Sequence, residues 1–270
     1  MIIGNGARLP LSGIIENTGV IELNSTGAET DLQLIQTGAT LHGGGQVVLS
    51  DSNANVISGT SASVPLNNED NTISGAGQLG NGELSLTNSG TINATGTHAL
   101  AIDTGSNFVF NFGTLEASGS GGLTVASTVE NSGVLWANGA NVTVHGDVSG
   151  NGTAIIDGSG TVDFAAASSA NVVFGSDAAG TLKLEDSFHF SGTIAGFNGA
   201  DAIDLTNVNS ATAAIAYHEN AQGTGGVLTV SDGTHAAQLS FLGQYSAANF
   251  DVVPDQVHGS LITLHHDLSV

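Results

Sequence analysis

The phrase NSGTINATG at residues 88–96 returns as NSGVLWANG at residues 131–139, and the second copy carries the chain's only tryptophan, Trp136. A repeated catalytic motif would keep reactive side chains. This one keeps Asn, Gly and alternating apolar residues, so it reads as architecture. Its glycine recurs in ENTGVIEL (Gly19), NFGTLEASG (Gly113) and GNGTAIIDGSG (Gly152). From Gly90 the steps to Gly113, Gly133 and Gly152 are 23, 20 and 19 residues. The apolar pairs Leu100/Ile102, Leu123/Val125, Val142/Val144 and Val162/Phe164 step by 23, 19 and 20. Two independent registers share one period.

Within each repeat apolar and polar residues alternate, as in GTLEAS, NVTVHG and GTVDFA, which is strand periodicity. Gly, Asn, Ser and Asp separate the strands as turn formers, with glycine expected where φ is positive. The best helical candidate is the Ala-rich run DFAAASSANVVF at residues 163–174, yet it stays in phase with the repeat. Short strands at this spacing predict an all-β fold, a right-handed parallel β-helix (β-solenoid) with coils of about 20 residues. Asn at equivalent corners is expected to form ladders between coils. A β-sandwich would pair antiparallel strands and would not need near-identical phrases at constant spacing.

The repeat is regular over residues 75–175 and looser over 1–75, so residues 1–175 are expected to be solenoid. After residue 176 the aromatics gather: Phe188, Phe190, Phe197, Tyr217, Phe241, Tyr245 and Phe250. An open last coil exposes strand edges and core, so residues 176–270 are expected to form a β-rich C-terminal cap.

Composition narrows the function classes. Asp and Glu number 24 against two cations, Arg8 and Lys183, for a formal charge of −22. Such a chain has no basic footprint for nucleic acid and is repelled by anionic membrane surfaces. It has no cysteine, hence no disulfide, thiolate metal site or Cys nucleophile. No apolar run reaches the roughly 18 residues of a membrane helix, and no membrane insertion is expected. The opening MIIGNGARLP lacks the basic region and long apolar stretch of a signal peptide. That leaves export by a route read elsewhere, or a longer parent chain.

The stretches NTISGAGQLGNGELSLTNSGTINATG and NSGVLWANGANVTVHGDVSGNGTAIIDGSGTVDFA resemble the repeat regions of very large secreted bacterial surface proteins, adhesin-like or RTX-type, frequent in rhizobia and other alphaproteobacteria. The ending GGVLTVSDGTHAAQLSFLGQYSAANFDVVPDQVHGSLITL is similar to the module that often closes such repeats. The resemblance is most specific over residues 70–264. It implies an extracellular or cell-surface location, type I secretion and association with calcium. The G-G-x-G-x-D calcium repeat of RTX proteins survives only as the degenerate GFNGADAID at residues 196–204, so a tandem calcium β-roll is not expected.

Calcium takes carboxylates and carbonyls, and the candidate ligands are Asp201 and Asp204, then Glu185 and Asp186. His265, His266 and Asp267 are also close in sequence, but adjacent residues of a strand point to opposite faces. A carbohydrate-active β-helix would use carboxylates clustered on neighbouring coils, with Asp157 and Asp163 as candidates beside Asp147; Asp next to Gly is equally a turn former. No Gly-x-Ser-x-Gly elbow or phosphate-cradling loop is present. The expectation is a non-enzymatic extracellular structural or adhesive segment, a rigid acidic solenoid, with a surface glycan or neighbouring copies of itself as partner. Trp136 aligns with Asn93 of the earlier copy, a position free to be polar, so it is expected to face outward as a surface contact.

Overall fold

The computed structural model describes residues 1–255 and 257–265. It is a β-solenoid of about 9 turns with coils of about 22 residues, 54% strand and only 2% helix. The Ala-rich run forms no helix: it supplies the ends of Thr161–Phe164 and then Asn171–Phe174, both strands. Its residues Phe164, Val172 and Phe174 alternate in strand phase and are buried as successive rungs.

Each regular coil contributes three short strands. One coil reads Thr91–Ala94, Leu100–Ile102 and Val109–Asn111, after which Thr114–Ala117 opens the next. Equivalent strands pair in parallel with the coils before and after, as Thr91 with Thr114, Leu100 with Leu123 and Val109 with Val129. Three ladders therefore run along the axis. The second and third merge into one sheet because Arg8–Glu16 and Thr30–His42 run through the corner between them without a break.

The inward row of the first ladder runs Ile21, Val47, Ile73, Ile92, Leu115, Leu135, Ala154, Val172 and Ile194, each 5% exposed or less. Its steps are 26, 26, 19, 23, 20, 19, 18 and 22 residues, and the two long coils explain why the N-terminal phrasing is looser. Side-chain volumes compensate along the stack. The neighbouring row holds Ala94, Ala117 and Ala137, then Ile156 and Phe174. Its switch to Ile156 coincides with the shrinkage to Ala154, as close packing requires.

The NSG corner is built from backbone and amide. Asn68, Asn88, Asn111 and Asn131 stack at the inward end of the third ladder, all 1% exposed or less. Nδ2 of each of the first three donates to Oδ1 of the next at 2.8, 2.9 and 2.8 Å. The carbonyls of Asn68, Asn88 and Asn111 each also accept two consecutive N–H groups from the following coil, as Asn88 does from Phe112 and Gly113, and that of Asn131 accepts the Gly152 N–H. These bonds satisfy the buried amides of Asn68, Asn88 and Asn111 on successive coils.

One expectation is corrected at these corners. The closing glycines of NSG, NFG and GNG, which are Gly90, Gly113, Gly133 and Gly152, do not have positive φ. They are glycines because a Cβ would strike the coil beneath: at Gly113 it would lie 2.1 Å from Gly90 O, and at Gly133 2.1 Å from Gly113 O. Positive φ falls elsewhere, for example at Gly139 (φ 73) and Gly150 (φ 96).

The parallel ladders continue past residue 175, through Thr181–Leu184, Thr193–Ala195 and Ala202–Leu205. Antiparallel strands begin at Ala214–Glu219. Composition changes before topology does, because Phe164, Phe174, Phe190 and Phe197 already fill inward positions of the last coils. Beyond them, Ala236–Leu242 extends the first ladder and pairs antiparallel with Gly225–Ser231. Ser260–Leu264 adds antiparallel to Ala202–Leu205 in the second. Rings of Phe174, Phe197, Phe241, Phe250 and Tyr245 pack in sequence with centroids 5.2–5.7 Å apart, closing this end of the core.

Candidate functional site

The outward face of the second ladder carries a stacked set of titratable groups. Alternation sends Val162, Phe164, Leu182, Leu184, Ile203 and Leu205 inward, which leaves Asp163, Lys183 and Asp204 outward. Pairing register stacks these three on successive coils, Asp163 beside Lys183 and Lys183 beside Asp204. Lys183 Nζ donates to Asp163 Oδ2 at 2.9 Å and to Glu185 Oε1 at 2.5 Å. Asp255 and Thr206 join Lys183, Glu185 and Asp204 in lining an open cleft.

Burial sets the electrostatics. The Asp163 side chain is 13% exposed, and this desolvation holds its carboxyl above the ordinary value despite the Lys183 hydrogen bond and charge. Asp204 is likewise raised, first by burial and then by the negative charge of Asp255. Oδ1 of both aspartates is buried without a hydrogen-bond partner. Burial works against the Lys183 ammonium, but hydrogen bonds to Glu185 and Asp163 outweigh it and hold the lysine charged, with its pKa above normal. A lysine so held is an electrostatic anchor and no general base.

The four carboxylates expected to bind calcium do not form one site. Asp201 is 2% exposed and accepts N–H groups of Gly180 and Asn198; it sits at the corner just before the strand Ala202–Leu205. Asp186 faces the ring of His189 at 2.8 Å. Glu185 is bonded to Lys183, and only Asp204 shares its cleft. Calcium needs six to eight oxygens around one point, and this donor set does not supply them. Among the described residues no group of three or more His, Asp or Glu is disposed to hold a metal ion. His265 contacts Asp251, while His266 and Asp267 lie outside the described residues.

Trp136 faces outward, as expected, in the row Asn93, Glu116, Trp136, Ile155 and Val173 of the first ladder. It is partly exposed, and Nε1 donates to Asp157 Oδ2 at 2.8 Å. Asp157 thus serves the indole and stands apart from Asp163. The row beside it stacks Thr72, Thr91 and Thr114, followed by Val134 and Thr153, with no second threonine row next to it.

Sequence reasoning missed one surface feature. Phe108, Phe110 and Phe112 are 48%, 36% and 54% exposed on a single coil. The signal was there: NFVFNF alternates around Val109 and Asn111, which are in phase with the inward Val129 and Asn131 of the next coil. Among the described residues no helix is long and apolar enough to cross a membrane. No family model, curated protein or solved structure matches the chain.

Proposed function

We propose that this chain is a non-enzymatic structural and adhesive segment of a secreted bacterial surface protein, a rigid acidic rod presenting side chains outward. The observation that carries this reading is the continuous parallel pairing of the first and second ladders along about 9 turns, roughly 40 Å at the usual strand spacing. A stack of rungs with filled inward rows is stiff along its axis. Several outward carboxylates brace the turns: the Thr97 hydroxyl and the His98 N–H hold Asp51 below its ordinary value, and backbone N–H groups do the same for Asp70 and Asp232. Export across the envelope and contact with a surface glycan or neighbouring copies follow from the sequence resemblance. Trp136 and the exposed Phe108, Phe110 and Phe112 of one coil offer aromatic contact points.

Screening the purified chain against polysaccharides tests the reading. Binding without new reducing ends or unsaturated products, weakened by Trp136→Ala, is the expected result. Turnover of any glycan sinks it. One observation favours a carbohydrate-active second reading: Asp163, Glu185 and Asp204 come together from three successive coils. It requires that Asp204→Asn abolish a measured turnover.

A further inference from the structure

We propose that the outward row Phe108, Phe110 and Phe112 is a binding site for an uncharged polysaccharide, whose sugar rings lie on the phenyl faces. The three side chains are 48%, 36% and 54% exposed. The rings of Phe108 and Phe110 have centroids 6.0 Å apart and planes tilted by 35°. Every second residue of a strand faces the same way, so the row spans about 13 Å across its coil. Along the third ladder, Phe110 stands between Asn67 and Thr87 on one side and Glu130 and Ser149 on the other. The rings thus interrupt a row of polar side chains.

The surroundings select the class of partner. Thr87 and Glu130 are in register with Phe110, so Ser85 and Ser89 flank the outer rings from the coil before, and Thr128 and Ser132 from the coil after. All of these but Glu130 carry a hydroxyl, and none is a cation. The strand Val109–Asn111 is paired on both sides, which leaves no edge for a peptide strand to join. The exposed ring surface is about 300 Å², taking roughly 200 Å² for a whole aromatic side chain. A stable contact with a second copy needs about 800 Å² from each partner. A sugar chain fits both limits. The C–H faces of its rings are apolar and stack on the electron-rich phenyl faces, while its hydroxyls exchange hydrogen bonds with Ser and Thr. An acidic polysaccharide would find no cation here and would meet Glu130 on a chain of charge −22. The site rests on the surface-segment reading above, and it names the face and the class of glycan.

Native affinity electrophoresis of the full chain tests it, in gels cast with laminarin, xyloglucan or galactomannan as neutral polysaccharides and with polygalacturonate as the acidic one. The wild type is expected to be retarded by at least one neutral polysaccharide and to run freely through polygalacturonate. Phe108→Ala combined with Phe112→Ala is expected to bind that polysaccharide about tenfold more weakly, with an unfolding midpoint within about 2 °C of wild type. Trp136→Ala, on the first ladder, is expected to weaken binding less. Phe108→Leu with Phe112→Leu keeps apolar surface without a ring face and is expected to show the same loss, so a folding defect of the alanine variant does not mask the result. No retardation by any neutral polysaccharide, stronger retardation by polygalacturonate, or retardation that survives both double variants overturns the site. So does a wild-type dimer in sedimentation that the double variants lose, which would assign the rings to a second copy. Release of reducing ends would instead overturn the surface-segment reading and leave the phenylalanine site standing.

Discussion

Asn111 Nδ2 donates to Asn131 Oδ1 at 2.8 Å, and there the amide ladder stops: Asn131 Nδ2 is buried and has no hydrogen-bond partner. The next coil continues Val148 and Ser149 into Gly150, which brings no acceptor side chain to that level. The same residue type at two adjacent rungs is thus fully used at one and half used at the other.

This asymmetry orders two alanine variants. Asn111→Ala removes bonds in both directions and leaves Asn131 Oδ1 buried without its donor. A loss of about 2 kcal/mol is expected, a midpoint lower by about 5 °C. Asn131→Ala removes a donor that is already unpartnered, while Asn111 Nδ2 keeps Gly113 O and Val134 O. Its loss is expected to be less than half as large by calorimetry.

Glycine substitutions separate crowding from backbone conformation. A Cβ on Gly133 would sit 2.1 Å from the Gly113 carbonyl oxygen, whereas one on Gly139 (φ 73) meets nothing within 4 Å. Gly139→Ala is expected to cost about 1 kcal/mol, the left-handed penalty alone. Gly133→Ala must push two coils apart and is expected to cost more than about 3 kcal/mol, seen as loss of soluble protein or of cooperative unfolding.

Asp204 gives a pH-dependent signature. Its folded value is raised above 3.8, so the folded chain holds this proton at a pH where the unfolded chain has released it. Stability from this group is therefore present below the unfolded value and lost as pH rises through the raised folded one. Asp204→Asn removes both the charge and its dependence. The neutral-pH midpoint is expected to rise by about 2 °C, with the gain fading as the pH approaches 4. A variant less stable than wild type at pH 7 would show that Lys183 gains more from Asp204 than burial costs.

Trp136→Phe keeps an apolar ring in its row and deletes the 2.8 Å bond to Asp157. About 1 kcal/mol is expected, and Asp157→Ala should match it. In Asp157→Ala the emission of the single tryptophan should also shift to the red as its N–H turns to water.

The sequence by itself determined the period, the strand alternation, the identity of the corners and the outward direction of Trp136. These depend on neighbours two or three residues apart, where the strand's period of 2 admits one solution once apolar residues must be inward. The helix-compatible run of alanines was overruled by its phase, for the same reason. Only the tertiary structure decided which outward residues meet. Coil lengths along the first ladder vary from 18 to 26 residues, so a spacing of about 20 does not say whether two side chains share a row. Asp163, Lys183 and Asp204 became one column by pairing register. Asp201, three residues before Asp204, was instead buried and spent on backbone N–H groups, because residues 196–201 turn the chain through a corner. Glycine illustrates the same divide. Its recurrence was legible in sequence, but at the NSG corners the cause is the closeness of the coil below, a distance that exists only after the coils have stacked.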